Sequence, residues 1–153
     1  MERTNHNPAD RALIVEHLFD RLVMQGNKHL MEKLSHHDLT VAQYLTMEAL
    51  SDKGSECSMS ELAERIQQSS ATMTGIVDRL VEKGWVTRRR SEEDRRAVFV
   101  TLTAEGQQIV DRVAAERRQS VQQSIEKMNA SDVEQFIALM QSYMAAAGYS
   151  SPL

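Results

Sequence analysis

Cysteine is nearly missing from this 153-residue chain: Cys57 stands alone. No internal disulfide can form, and the chain is expected to work in a reducing compartment. Proline and glycine are almost as scarce, with two and six residues. Good helix formers (Ala, Glu, Gln, Leu, Met, Arg) dominate instead, so a mainly α protein of one domain is expected. No segment comes near the ~20 apolar residues of a membrane span. The polar start "MERTNHNPAD" has no signal-peptide core. The expected location is therefore cytoplasmic, with no membrane partner. The marks of catalysis are missing too: there is no nucleophile–base spacing, no Gly-rich phosphate loop and no metal-ligand cluster, so no enzyme is expected. His17, His29, His36 and His37 offer no i, i+4 pair and read as solvated side chains; neither a metal nor a cofactor is expected.

A basic excess is absent as well. The net charge is −4 and the pI about 5.7, which by itself argues against nucleic acid. The average hides a pattern. Residues 1–54 hold 6 basic and 8 acidic side chains, residues 103–153 hold 4 and 6, and the stretch between them holds 8 of each. Within that middle, residues 79–96 carry 7 basic against 4 acidic groups. Placement matters more to a phosphate than the total does.

The elements can be read from caps and periodicity. Asn7, Pro8 and Asp10 start a helix that carries Leu13, Ile14, Leu18, Leu22, Met31 and Leu34 to roughly residue 34. Val15, Phe19, Val23 and Met24 widen its apolar stripe, so it is expected to be buried against more than one neighbour. Thr40 and Gln43 form a capping box, with Leu39 and Tyr44 placed as a hydrophobic staple, and open a second helix to about Leu50. Ser58 and Glu61 form another box and start a short third helix. After the polar turn "QQSS", Met73, Ile76, Val77, Leu80 and Val81 mark a fourth helix that stops at Gly84. "WVTRRR" and "AVFVTL" then read as a hairpin around "SEED", with Val98, Val100 and Leu102 on one face. Thr103 caps a long helix bearing Ile109, Val110, Val113, Val121, Ile125 and Met128. Ser131 and Glu134 are expected to cap a last helix bearing Val133, Phe136, Ile137, Met140, Tyr143 and Met144, before a loose tail, "GYSSPL". Three helices followed by a hairpin are the pattern of a winged helix-turn-helix, in which the second helix of the turn lies in the DNA major groove.

The fourth helix leaves Ser69, Ser70, Thr72, Thr74 and Arg79 for solvent. Small hydroxyl side chains permit close approach and hydrogen-bond bases or phosphates. The plainer reading, that they cap the helix, covers Ser69 or Ser70 but not Thr72 and Thr74. The hairpin adds "RRRSEEDRRAVFVTLT", residues 88–103, with Arg88, Arg89, Arg90, Arg95 and Arg96 within nine positions. Arginine suits the minor groove beside such a wing. Asp94 lies two residues before Arg96 and can hold an arginine in a fixed pose. The plainer reading here is a solvated turn with surface ion pairs.

The stretches "SMSELAERI", "TMTGIVDRLVEKGWVTR" and "DRRAVFVTLTAEG" make the chain resemble the MarR family of winged helix-turn-helix transcriptional regulators, from about Leu39 to Gly106. Asp94, Arg96, Leu102, Thr103 and Gly106 fill positions of that family's wing signature; Gly75 departs from it, standing where many members carry a long polar side chain. The resemblance implies a homodimer: a dimerisation helix over 1–38, a DNA-binding domain over 39–102 and further dimerisation helices over 103–153, intertwined as one structural domain. It implies double-stranded DNA as partner, read as a pseudo-palindrome, most often by a repressor. It also implies a small anionic aromatic or lipophilic effector in a cleft near His17, Arg21, Met24, Tyr44 and Met47, although Met and Tyr at helical spacing more often fill core. Cys57 lies far from the first helix, where redox-sensing members carry their reactive cysteine, and is expected to be a half-buried filler. A winged helix that serves protein partners without DNA is the competing reading; five wing arginines argue against it.

Overall fold

The computed structural model describes residues 7–54, 56–91 and 97–149. Among them the chain forms α1 (Pro8–Ser35), α2 (Val41–Lys53), β1 (Cys57–Ser58), α3 (Met59–Arg65), α4 (Ser70–Glu82), β2 (Val86–Arg90), β3 (Val98–Leu102), α5 (Ala104–Ile125) and α6 (Ala130–Ala146). The expected mainly α, winged helix-turn-helix order is present. There are two compact units; the first ends at Val113 and the second begins at Ala114, within α5.

Local chemistry accounts for most boundaries of the first unit. Thr40 Oγ1 accepts the Gln43 amide at 3.2 Å while Gln43 Oε1 accepts the Thr40 amide at 2.9 Å. The expected staple residues Leu39 and Tyr44 are both buried. Ser58 and Glu61 make the second reciprocal box. Gly54 and Gly84 end α2 and α4 in the left-handed region, at φ 62° and 73°, where glycine meets no Cβ penalty. The core gathers Leu34, Tyr44, Met47, Leu50, Leu62, Met73, Val77, Leu80, Val86, Val100 and Val113, each at most 2% exposed. It therefore lies among the end of α1, α2, α3, α4, the sheet and the first turns of α5.

The hairpin is not alone. The sheet has three antiparallel strands in the order β1-β3-β2. Cys57 pairs with Val100 and Ser58 with Phe99, so the residue pair just before α3 forms a short outer strand. Cys57 is consequently fully buried rather than half-buried. One cap assignment stands and one changes. Asn7 occupies the N-cap of α1 without a side-chain bond. Asn129, not Ser131, caps α6: its Oδ1 accepts the Asp132 amide at 2.8 Å. Asn is as good a cap as Ser, and the earlier of the two competing sites wins. Ser131 and Glu134 thus fall inside the helix, and α5 ends at Ile125, short of Met128.

The apolar stripe expected to be buried on α1 is open in the single chain. Leu13, Ile14, Leu18, Leu22, Val23, Met24 and Met31 are exposed, and Leu34 is the helix's one buried residue. In the second unit α6 buries none of its residues and exposes Phe136, Ile137, Leu139 and Tyr143. No helix among the described residues is long and apolar enough to cross a membrane.

Candidate nucleic-acid interface

The turn between α3 and α4 is closed by Gln68, whose amide donates to Ala63 O at 2.8 Å, with Gln67 at φ 52°. This places α4 across α3 with Met73, Ile76, Val77 and Leu80 inward. Ser69, Ser70, Ala71, Thr72, Thr74, Gly75, Arg79 and Glu82 are exposed, as expected from the periodicity. Ser69 is the cap: its Oγ accepts the Thr72 amide at 3.1 Å. The Ser69 and Thr72 hydroxyls lie 2.8 Å apart, and the Thr74 hydroxyl donates to Ser70 O at 2.9 Å. These local bonds fix the rotamers of a small, uncharged surface while leaving acceptor lone pairs outward.

The wing is tied to this helix at its base. Thr103 Oγ1 accepts the Gly106 amide at 3.0 Å and donates to Gly84 O and Trp85 O at 2.9 and 3.1 Å. The Thr103 amide also donates to Trp85 O, at 3.0 Å. Gly106 lies so close that a Cβ there would stand 2.1 Å from Trp85 O. The Leu-Thr…Gly end of the wing signature is thus a steric and hydrogen-bonding joint between β2, β3 and α5.

Higher up, β2 exposes Thr87, Arg88, Arg89 and Arg90. Arg88 forms an ion pair with Asp78 of α4. Arg89 donates through Nε to Glu56 Oε2 at 2.8 Å and through its terminal nitrogen to Oε1 at 2.5 Å, and its guanidinium lies 5.1 Å from the Phe99 ring centre. Lys83, at the end of α4, donates to Asp38 O and Oδ2 at 2.6 and 2.5 Å and sits 4.7 Å from the Trp85 ring centre. The Lys83 ammonium holds the Asp38 carboxyl below its ordinary range, first by the hydrogen bond and then by charge. These three pairings were not legible as partners in the sequence. Asp94, Arg95 and Arg96 lie outside the described residues.

The five expected effector residues fall in two settings. His17, Arg21 and Met24 are exposed on α1, whereas Tyr44 and Met47 are core residues of α2. The Tyr44 hydroxyl donates to Glu48 at 2.8 Å. Cys57 Sγ lies 3.6 Å from Glu61 Oε2, and burial first, then the Glu61 charge, pushes the thiol upward in pKa. A thiol so placed resists forming the nucleophilic thiolate.

A reader helix beside a three-stranded wing, with the hydroxyl face of one near the arginines of the other, defines a winged helix-turn-helix protein. A MarR family model matches residues 39–98. YhbI, an HTH-type transcriptional regulator of Bacillus subtilis, is 34% identical over 112 residues, covering 71% of this chain and 72% of that one. A MarR family protein from Bacillus stearothermophilus has the same fold, with a TM-score of 0.82 at 20% identity over 94% of this chain and 99% of that one. So does a mutant of MepR from S. aureus, solved bound to an oligodeoxyribonucleotide, with a TM-score of 0.69 at 19% identity, over 87% and 97%. The chain belongs to the MarR family of winged helix-turn-helix transcriptional regulators.

Proposed function

We propose that the chain acts in the cytoplasm as a homodimeric repressor, binds a pseudo-palindromic operator and is released by a small anionic aromatic or lipophilic effector. The observation that carries the DNA reading is that α4, with its exposed hydroxyls, packs against the arginine-bearing strand β2 and is joined to it by the Arg88–Asp78 ion pair. Ser69, Ser70, Thr72, Thr74 and Arg79 approach the major groove, Arg90 meets phosphate, Arg96 enters the minor groove with Asp94 as its partner, as the family resemblance implies, and Arg95 adds positive charge for the backbone. A protein of the same fold, the MepR mutant, is bound to an oligodeoxyribonucleotide, which supports DNA as the partner.

The dimer reading draws on the open stripes of α1 and α6. Leaving that much apolar surface in water is costly, and a second copy of the chain is the partner a two-fold regulator requires. Residues 1–38 and 103–153 then serve dimerisation and 39–102 serves DNA. Tyr44 and Met47 are buried, so an effector that reaches them has to open the core around α2. A ligand that favours such a conformation lowers the population with the correct half-site spacing.

The test is binding of the purified chain to DNA from its own upstream region, by fluorescence anisotropy at two salt concentrations with nonspecific competitor. Tight, competitor-resistant binding that weakens steeply with salt is expected. Binding no better than to random DNA refutes a regulator of its own upstream region. A random-sequence selection then separates a regulator of distant sites from a winged helix that serves protein partners.

A further inference from the structure

The described part of the basic segment contains Arg79, Lys83, Arg88, Arg89 and Arg90. Lys83, Arg88 and Arg89 are already held by acids, through Asp38, Asp78 and Glu56 respectively. Strand register sorts the wing arginines. Side chains alternate across a strand. Arg88 opposes Val100 and shares its inward face, and Arg89 opposes Phe99 on the outward face. From the inward face Arg88 reaches Asp78 on the reader helix. From the outward face Arg89 lies over Phe99 and makes a two-pronged bond to Glu56, the residue just before β1. Strand β2 is therefore gripped from both sides, by α4 on one and by the start of β1 on the other.

We propose that Asp78 and Glu56 are positioning residues: through Arg88 and Arg89 they set the angle at which the wing stands beside the reader helix. Arg88 and Arg89 are then struts, and the DNA cations of the described surface are Arg79 and Arg90. This rests on the DNA-binding reading above and deepens it.

Electrostatics and geometry give opposite signs, which makes the proposal testable. Asp78 sits on the helix that faces DNA. On charge alone, removing an acid there strengthens binding to a polyanion. As a strut anchor, its removal weakens binding because the wing loses its fixed pose. The experiment uses a duplex selected from a random pool by the wild-type chain, with anisotropy titrations over a salt series for Asp78→Asn, Glu56→Gln, Arg88→Ala and the Asp78→Asn/Arg88→Ala double variant. Asp78→Asn and Glu56→Gln are each expected to weaken binding about three- to fivefold, the range of a well-formed exposed pair. Arg88→Ala should weaken it similarly with an unchanged salt slope, and the double variant should be no worse than Arg88→Ala. Tighter or unchanged binding by Asp78→Asn overturns the proposal. So does a salt slope that drops by about 0.9 in Arg88→Ala, the mark of one lost phosphate contact. If circular dichroism shows that Asp78→Asn loses helix, Glu56→Gln, on the opposite face of the sheet, decides the sign. A wild-type chain that selects no sequence at all removes the DNA reading itself; a selecting wild type with a tighter Asp78→Asn removes only the struts.

Discussion

Replacing Gly106 by alanine tests the joint between wing and helix. The added methyl would lie 2.1 Å from Trp85 O, 2.9 Å from Leu102 Cδ1 and 3.0 Å from the Trp85 carbonyl carbon. The leucine tip can rotate away, but the carbonyl cannot: it accepts from the Thr103 amide at 3.0 Å and the Thr103 hydroxyl at 3.1 Å. Backing off by about 1 Å therefore breaks or stretches those bonds, at about 1 kcal/mol for the pair after relaxation. Overpacking a close contact adds about 2 kcal/mol. Alanine returns up to about 1 kcal/mol of helix propensity. The net loss is about 2 kcal/mol, which for a chain of this size is a fall in Tm of about 4–8 °C. Thermal unfolding by circular dichroism at one fixed protein concentration measures it, because the Tm of the dimer proposed above would depend on concentration. A Gly106→Ala variant that melts at or above the wild-type temperature refutes the joint.

Gly75 makes the opposite prediction. It lies mid-helix on the exposed face of α4, and a Cβ there meets nothing within 4 Å; Gly75→Ala should raise stability by about 0.5–1 kcal/mol, and a drop in denaturation midpoint would count against the described surroundings. The Glu61 carboxylate is held down to about 2 from an ordinary 4.5, first by the Ser58 backbone N–H, then by the Ser58 hydroxyl and Lys53. A depressed folded-state pKa contributes stability that is complete above about pH 4.5 and lost as pH falls from there toward 2. Glu61→Gln should flatten the dependence of Tm on pH in that window, and an unchanged slope would show that the box does not titrate with folding. Arg96→Ala, at the position the family resemblance assigns to the minor groove, should weaken operator binding by about 1–3 kcal/mol; equal affinity at matched salt would remove Arg96 from the interface.

Local rules made much of the first unit legible. Both capping boxes, the Leu39–Tyr44 staple, the inward stripe of α4 and the Gly84 stop depend on residues a few positions apart, and each stands as read. The two-residue strand β1 escaped, because two residues show no period. The α6 start went to Asn129 because two good caps competed within three positions. The ion pairs escaped for a different reason. Arg88 and Asp78 are 10 positions apart, Arg89 and Glu56 33, and Lys83 and Asp38 45. No periodicity links such distances; only the folded path of the chain brings the partners together. The arginine run was legible as charge, but which arginines are already occupied was not.

The order of the sheet bears on how the protein behaves when concentrated. β3 is covered on both sides, leaving β1 and β2 as its edges. β1 is two residues long, too short to template a neighbour, and β2 leaves Thr87, Arg88, Arg89 and Arg90 exposed. A second copy pairing along β2 would crowd long side chains already engaged in the Arg88–Asp78 and Arg89–Glu56 pairs and bring one Arg90 charge toward another, which opposes it. Edge-to-edge growth into fibrils or amorphous aggregates is thereby discouraged, and the exposed large apolar side chains among the described residues are helical apart from Met128 and Tyr149. In the two-fold dimer proposed above, the pairing of those helices would be closed and would leave no open end for further growth.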